Sequence, residues 1–159
     1  MLNNNEQNNV SFDSPRDWLQ VYRNEIDKAL TDSLEKEENL LRSLREEYGD
    51  RPGLRPFQIT KDIYSNPFCD ILKQFEGRKL NGALVKQVGV RVKKDGENDR
   101  IIGTHYIFRL NDFVIDPTFG QFVDLDKAIS EHPEFFVNRI LTATSEQILD
   151  SFGVQYTGG

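Results

Sequence analysis

The stretch from His105 to Phe122 constrains this chain more than any other. β-Branched and aromatic residues flank the pair Asn111-Asp112, a pattern that predicts a strand, a two-residue turn and a second strand. With that turn, Leu110 faces Phe113, Phe108 faces Ile115, Ile107 faces Asp116 and His105 faces Thr118. Side chains then sort by alternation. Tyr106, Phe108, Leu110, Phe113 and Ile115 form an apolar face that needs a core to cover it. His105, Arg109, Asp116 and Thr118 fall on the opposite, polar face. There His105 and Asp116 are diagonal neighbours, with Cα atoms roughly 7–8 Å apart, a gap that one hydrogen bond between imidazole and carboxylate closes. A base held by an acid is half of a catalytic triad.

The chain before the hairpin supplies what that apolar face must pack against. Residues 1–13, with five Asn in the first nine positions, lack periodicity and read as a disordered lead-in. A helical segment is expected over 14–50. Ser14 suits the N-cap, Pro15 the first helical position and Asp17 the positive helix start. Trp18, Tyr22, Ile26 and Leu30 recur at four-residue spacing, and Leu34, Leu40, Leu41, Leu44 and Tyr48 extend the stripe. The pattern fits one long helix, or two with a break near Thr31-Asp32-Ser33.

Gly49 to Gly53 ends that region, and a linker runs to about Ser65. A short helix follows, with Asn66 as cap, Pro67 at the first position, Gly77 past the end, and Phe68, Ile71, Leu72 and Phe75 as its buried stripe. Cys69 sits on the flank of that stripe in the first turn, beside the unsatisfied N–H groups at the positive end of the helix, where a thiolate is favoured. Residues 82–93 alternate as a half-buried strand, with Leu84, Val88, Val90 and Val92 inward, so the hairpin belongs to a meander of at least three antiparallel strands. Asp124 to Glu131 reads as a short helix stopped by Pro133, Phe135 to Leu141 as a strand or a helix, and Thr144 to Phe152 as a capped final helix. Gly158-Gly159 reads as a frayed end.

At 159 residues, 37% of them hydrophobic, the chain suits one α+β domain with a real core. A net charge of −6, with no basic stripe to offset it, argues against nucleic acid as a partner. No basic and apolar leader and no stretch of about 18 apolar residues is visible, so neither a Sec signal nor a membrane partner is expected, and the polypeptide is expected to be soluble. The single Cys69 rules out an internal disulfide framework and suits a reducing compartment. Two His and one Cys without paired spacing do not make a metal site, and nothing in the sequence points to a cofactor. His132 reads as a solvated helix end. Asp112, a turn residue, lies too far along the strand to serve His105.

Cys69, His105 and Asp116, in that order, with the Cys at a helix start and the other two on adjacent strands, have the arrangement of a cysteine hydrolase. The sulfur must be ionised to attack a carbonyl, which a helix N-terminus and a nearby imidazolium both promote. His105 takes the thiol proton and returns it to the leaving group, while Asp116 fixes the ring. Gln121, five residues after Asp116, offers an amide N–H for the oxyanion alongside the backbone N–H of Cys69.

Asn66-Pro67-Phe68-Cys69, then Gly103-Thr104-His105-Tyr106, then Val114-Ile115-Asp116-Pro117-Thr118-Phe119-Gly120-Gln121-Phe122, resemble the papain-fold toxin and effector domains of bacteria, over about residues 60–125. The resemblance implies an α+β fold with a papain-like or transglutaminase-like core, in which a nucleophile helix packs on an antiparallel sheet, within a catalytic domain over 51–159 that carries an N-terminal helical extension. It implies Cys69 as nucleophile, His105 as base, Asp116 as orienting acid and Gln121 as oxyanion donor, although papain-like enzymes often place that Gln before the Cys, where the nearest Gln in this chain is Gln58. It further implies a protein substrate, room for a cognate inhibitor or immunity protein, and work in the cytoplasm or after delivery into a target cell's cytosol. Peptide-bond cleavage, glutamine deamidation and transglutamination share the same thioester chemistry, and a non-catalytic binding module of the same fold stands against all three. Phe68, Phe119 and Phe122 are expected to crowd the site, which leans the reading towards a slim carboxamide and deamidation.

Overall fold

A computed structural model describes residues 12–48, 72–93 and 100–158. The hairpin forms as its sequence dictates. β2 (Arg100–Leu110) and β3 (Phe113–Asp116) pair antiparallel, with Phe108 opposite Ile115, Arg109 opposite Val114 and Leu110 opposite Phe113. The turn holds because Asn111 takes a φ of 53°, a left-handed conformation that Asn tolerates better than most residues.

β1 (Leu84–Val92) lies antiparallel on the other side of β2, and the predicted meander is therefore present. Val88 pairs with His105 but Val90 pairs with Ile102, so three steps of β2 are matched to two of β1. An irregularity of this kind bends the strand and re-aims the side chains beside it, and His105 stands at its edge. The sheet is completed by β4 (Phe136–Val137), β5 (Ile140–Thr144) and β6 (Val154–Thr157), in the order β4-β5-β3-β2-β1-β6, with every neighbouring pair antiparallel. The segment expected as strand or helix is thus the β4–β5 hairpin, turning at Asn138 with a φ of 55°. Strand β6, just before the Gly158-Gly159 end, was not expected.

One helix covers the first face. α1 (Pro15–Tyr48) runs unbroken through Thr31-Asp32-Ser33, so the single-helix alternative holds. Its buried stripe, Trp18, Leu19, Tyr22, Ile26, Ala29 and Leu30, packs on Phe108, Leu110 and Ile115 of the sheet and on Leu72 and Phe75. Trp18 stacks at a tilt on Phe108 with ring centroids 5.0 Å apart, and Phe75 meets the same ring edge-on at 5.3 Å. Two polar tips tie α1 down: the Trp18 indole N–H donates to the Leu80 carbonyl at 2.7 Å, and the Tyr22 hydroxyl donates to the Asn81 side-chain oxygen. Leu72–Phe75 is a 3₁₀ turn rather than a stretch of α-helix. The helix start at Asn66 and Cys69, the linker before it and the turn at 94–99 lie outside the described residues.

The second face differs from the expectation. It is not open to solvent but lies under a second core, in which Val88, Val90, Val92, Ile107 and Val114 of the sheet pack with Phe119, Phe122, Phe136, Leu141 and Ala143. α2 (Leu125–Glu131) and α3 (Ser145–Phe152) roof it with Leu125, Ala128 and Ile148. Both helices begin as predicted. The Asp124 side chain accepts from the Lys127 N–H, and Thr144 and Gln147 form a reciprocal capping box. Leu84, expected inward, is 58% exposed because it opens β1 beyond the reach of either core. Among the described residues no helix is long and apolar enough to cross a membrane.

Truncation of the shared aromatic tests this layering. Phe108→Ala removes a fully buried ring wedged between Trp18 and Phe75, and is expected to cost about 3–5 kcal/mol in urea unfolding.

Candidate functional site

Four elements bring polar side chains together on the second face: the end of β3, the turn after it, the irregular part of β2, and β6. The His105 Nε2 and Asp116 Oδ2 atoms are 2.8 Å apart, as the diagonal placement across the hairpin requires. The carboxylate is fully buried and the imidazole is 8% exposed. A charge removed from water this completely needs donors around it, and Asp116 has them. Oδ1 accepts the Thr118 backbone N–H at 3.0 Å and the Thr118 hydroxyl at 3.4 Å, the turn bending back on its own first residue. Oδ2 accepts the Tyr156 hydroxyl at 2.6 Å in addition to the ring N–H of His105.

This network fixes the imidazole. With Asp116 accepting on all sides, Nε2 carries the hydrogen and Nδ1 keeps a lone pair, the form a general base requires. Nδ1 faces the Gln121 side-chain nitrogen at 3.3 Å. That amide is held in place by the 3₁₀ turn Phe119–Gln121, and it also donates towards the Thr118 carbonyl at 3.1 Å and the Thr118 hydroxyl at 3.0 Å. Three acceptors compete for two N–H groups. Gln121 is therefore brought to the imidazole, and service to an oxyanion would require it to give up one of these contacts.

Aromatic rings close the sides. Phe122 meets the imidazole edge-on with centroids 4.9 Å apart, and Tyr156 lies nearly parallel to it at 6.3 Å. Phe119 packs edge-on beside Phe122 with centroids 6.2 Å apart, but it is fully buried in the second core against Phe152 and Phe136.

Tyr156 is the residue that sequence reasoning missed. Val154-Gln155-Tyr156-Thr157 has the β-branched and aromatic content of a strand, and Gly153 before it is a good helix stop, so a signal was present. Burial, and after it the adjacent Asp116 carboxylate, hold the Tyr156 phenol well above its ordinary ionisation range. It is a donor throughout the working range of pH.

Cys69 lies outside the described residues. His132 is not the solvated end expected: its ring stacks on Phe135, meets Phe152 edge-on, and is 31% exposed. Asp112 remains an exposed turn residue. Arg109 shares the second face with His105, and its Nε is buried with no hydrogen-bond partner among the described residues. A cavity of about 490 Å³ opens elsewhere, between α1 and the β4–β5 turn, lined by Arg23, Ile26, Leu30, Asn138 and Ile140. Neither His105 nor Asp116 lines it. Among the described residues no three His, Cys, Asp or Glu side chains gather as metal ligands. Compared with family models, curated proteins and solved structures, the chain gives no match.

Asp116 is fully buried, so its replacement tests the fold as well as the His105 contact. Asp116→Asn places an N–H₂ group among donors and is expected to cost about 1–3 kcal/mol in urea unfolding. Tyr156 sets an alkaline limit. The unfolded phenol loses its proton near pH 10 while the folded one keeps it, so the unfolded state binds fewer protons and stability falls as pH rises above about 10. Urea midpoints between pH 9 and pH 11 are expected to fall less steeply for Tyr156→Phe than for the wild type.

Proposed function

We propose that this chain is a thiol-dependent amide hydrolase, with Cys69 as nucleophile, His105 as base, Asp116 as orienting acid and Gln121 as oxyanion donor, and with glutamine side chains of a protein as substrate. The observation that carries the reading is the buried His105–Asp116 pair, with Nε2 bound and Nδ1 left as the proton acceptor. A carboxylate buried at this cost on a strand end is worth its desolvation where a base must be oriented. The resemblance of residues 60–125 to papain-fold toxin and effector domains adds the nucleophile and the papain-like core.

In this reading Nδ1 takes the Cys69 thiol proton and the sulfur attacks the carboxamide carbon. The oxyanion is met by the Cys69 backbone N–H and by the Gln121 amide once that amide is released from Nδ1. Collapse expels ammonia, which takes the proton from Nδ1–H. Water, giving its proton to the same nitrogen, then hydrolyses the thioester to glutamate. Peptide cleavage and transglutamination use the same intermediate. The lean to deamidation rests on the narrow surroundings of the base, with Phe122 and Tyr156 against the ring. The protein would act in solution, in its own cytoplasm or a target cell's, and a cognate inhibitor or immunity protein fits that role.

Two measurements test this. Iodoacetamide at neutral pH is expected to label Cys69 about tenfold faster than a free cysteine, and His105→Ala to remove the advantage; labelling at the free rate would favour a non-catalytic module. Mass spectrometry of a lysate treated with wild type or Cys69→Ala is expected to show gains of one mass unit at glutamines with wild type only. New protein termini without such gains would replace deamidation by proteolysis.

A further inference from the structure

We infer that Tyr156 is a positioning residue that acts on the base through the acid: its hydroxyl shares Oδ2 of Asp116 with the imidazole N–H, and thereby sets the strength of the His105–Asp116 hydrogen bond. The catalytic meaning of this deepens the hydrolase reading and rests on it, but the hydrogen-bond effect does not.

The argument begins with competition at a single atom. Oδ2 receives the phenol at 2.6 Å and Nε2–H at 2.8 Å, while Thr118 alone occupies Oδ1. Two donors on one oxygen draw on the same negative charge, so the shorter phenol bond weakens the ring's hold on the carboxylate. The carboxylate is fully buried, out of contact with bulk solvent. The phenol also pins the carboxylate plane from a third strand, whereas Thr118 and His105 hold it only from within the hairpin and its turn.

The placement of Tyr156 is built, not incidental. β6 enters the sheet through Gly153, whose φ of +67° ends α3 and whose N–H and C=O are both used, towards Leu149 and from Lys93. A Cβ at Gly153 would lie 2.9 Å from the Lys93 carbonyl oxygen, so a close approach of β6 to β1 is required here. Tyr156 then pairs with Val90, beside the strand irregularity that re-aims His105. A phenylalanine at 156 would fill the same space and keep the near-parallel ring contact, so packing does not call for the hydroxyl. The other groups around the imidazole are Val88 across from it on β1, Phe122, and the neutral Gln121 amide at Nδ1.

The test reads the hydrogen bond directly, by proton and nitrogen NMR of the His105 ring in the substrate-free full chain. In Tyr156→Phe the Nε2–H proton resonance is expected to move downfield, because the ring becomes the sole donor to Oδ2. With 3-fluorotyrosine placed at 156, a more acidic phenol of nearly the same size, the resonance is expected to move upfield. An unmoved resonance in folded Tyr156→Phe overturns the inference and leaves Tyr156 a packing residue. Should that variant not fold, the fluorotyrosine protein decides: an upfield move supports the inference, an unmoved resonance overturns it. Amide hydrolysis by the wild type, assayed on its own, separates the two proposals. Shifts of the expected sense together with a wild-type protein that hydrolyses no amide would sink the hydrolase reading alone.

Discussion

A single carboxylate with no exposure to solvent organises the second face of this sheet. Burying an ionised group is costly, and the cost is met only when each of its oxygens finds donors at good distances. Asp116 obtains them from the backbone and hydroxyl of Thr118, from His105 and from Tyr156. Each donor comes with a structural demand: a turn that folds back on its first residue, a β2 irregularity that aims the imidazole, and a last strand laid on β1. Removing any one of them leaves part of the charge uncompensated, so fold and site share the same interaction.

The two faces of the sheet divide the labour accordingly. On the first, α1 lays aromatic and aliphatic side chains over Phe108, Leu110 and Ile115, and its polar tips find backbone and amide partners at Leu80 and Asn81. On the second, small helices and a cluster of phenylalanines close over strands that also carry the ionisable pair. An apolar roof over a His–Asp couple keeps the local dielectric low and strengthens every polar contact beneath it. The same roof leaves the ring only a narrow exposed edge, through which any reacting group must approach.

How much of this was legible follows from the range of each signal. The hairpin register, and with it the His105–Asp116 contact, could be read because turn residues and alternation act within a dozen positions. The helix caps at Asp124 and Thr144 were readable for the same reason. Alternation says which residues share a side but not what lies above it, so His105, Arg109, Asp116 and Thr118 read as a polar face with nothing over it, while α2 and α3 in fact cover it. Leu84 erred in the other direction: its parity was inward, but the strand outruns the core there. Tyr156 was lost because a four-residue strand after a capped helix looks like an end, and its meaning lies in a carboxylate 40 positions earlier. The part played by Cys69 stays with the sequence, since that residue lies outside the described segments.

The pairing of β6 with β1 joins Val154 to Val92 across two helices and four strands. Contacts that close so large a loop come at a high entropic cost and contribute to the folding barrier rather than preceding it. The hairpin, by contrast, is local and can assemble early. A chain part-way through folding therefore holds His105 and Asp116 in register while the phenol is still absent and the roof incomplete. Such a species carries an acid and a base that are paired but not yet enclosed. The phenol on Asp116 depends on this long-range contact, and a chain that lacks it would keep its hairpin without Tyr156 against the carboxylate.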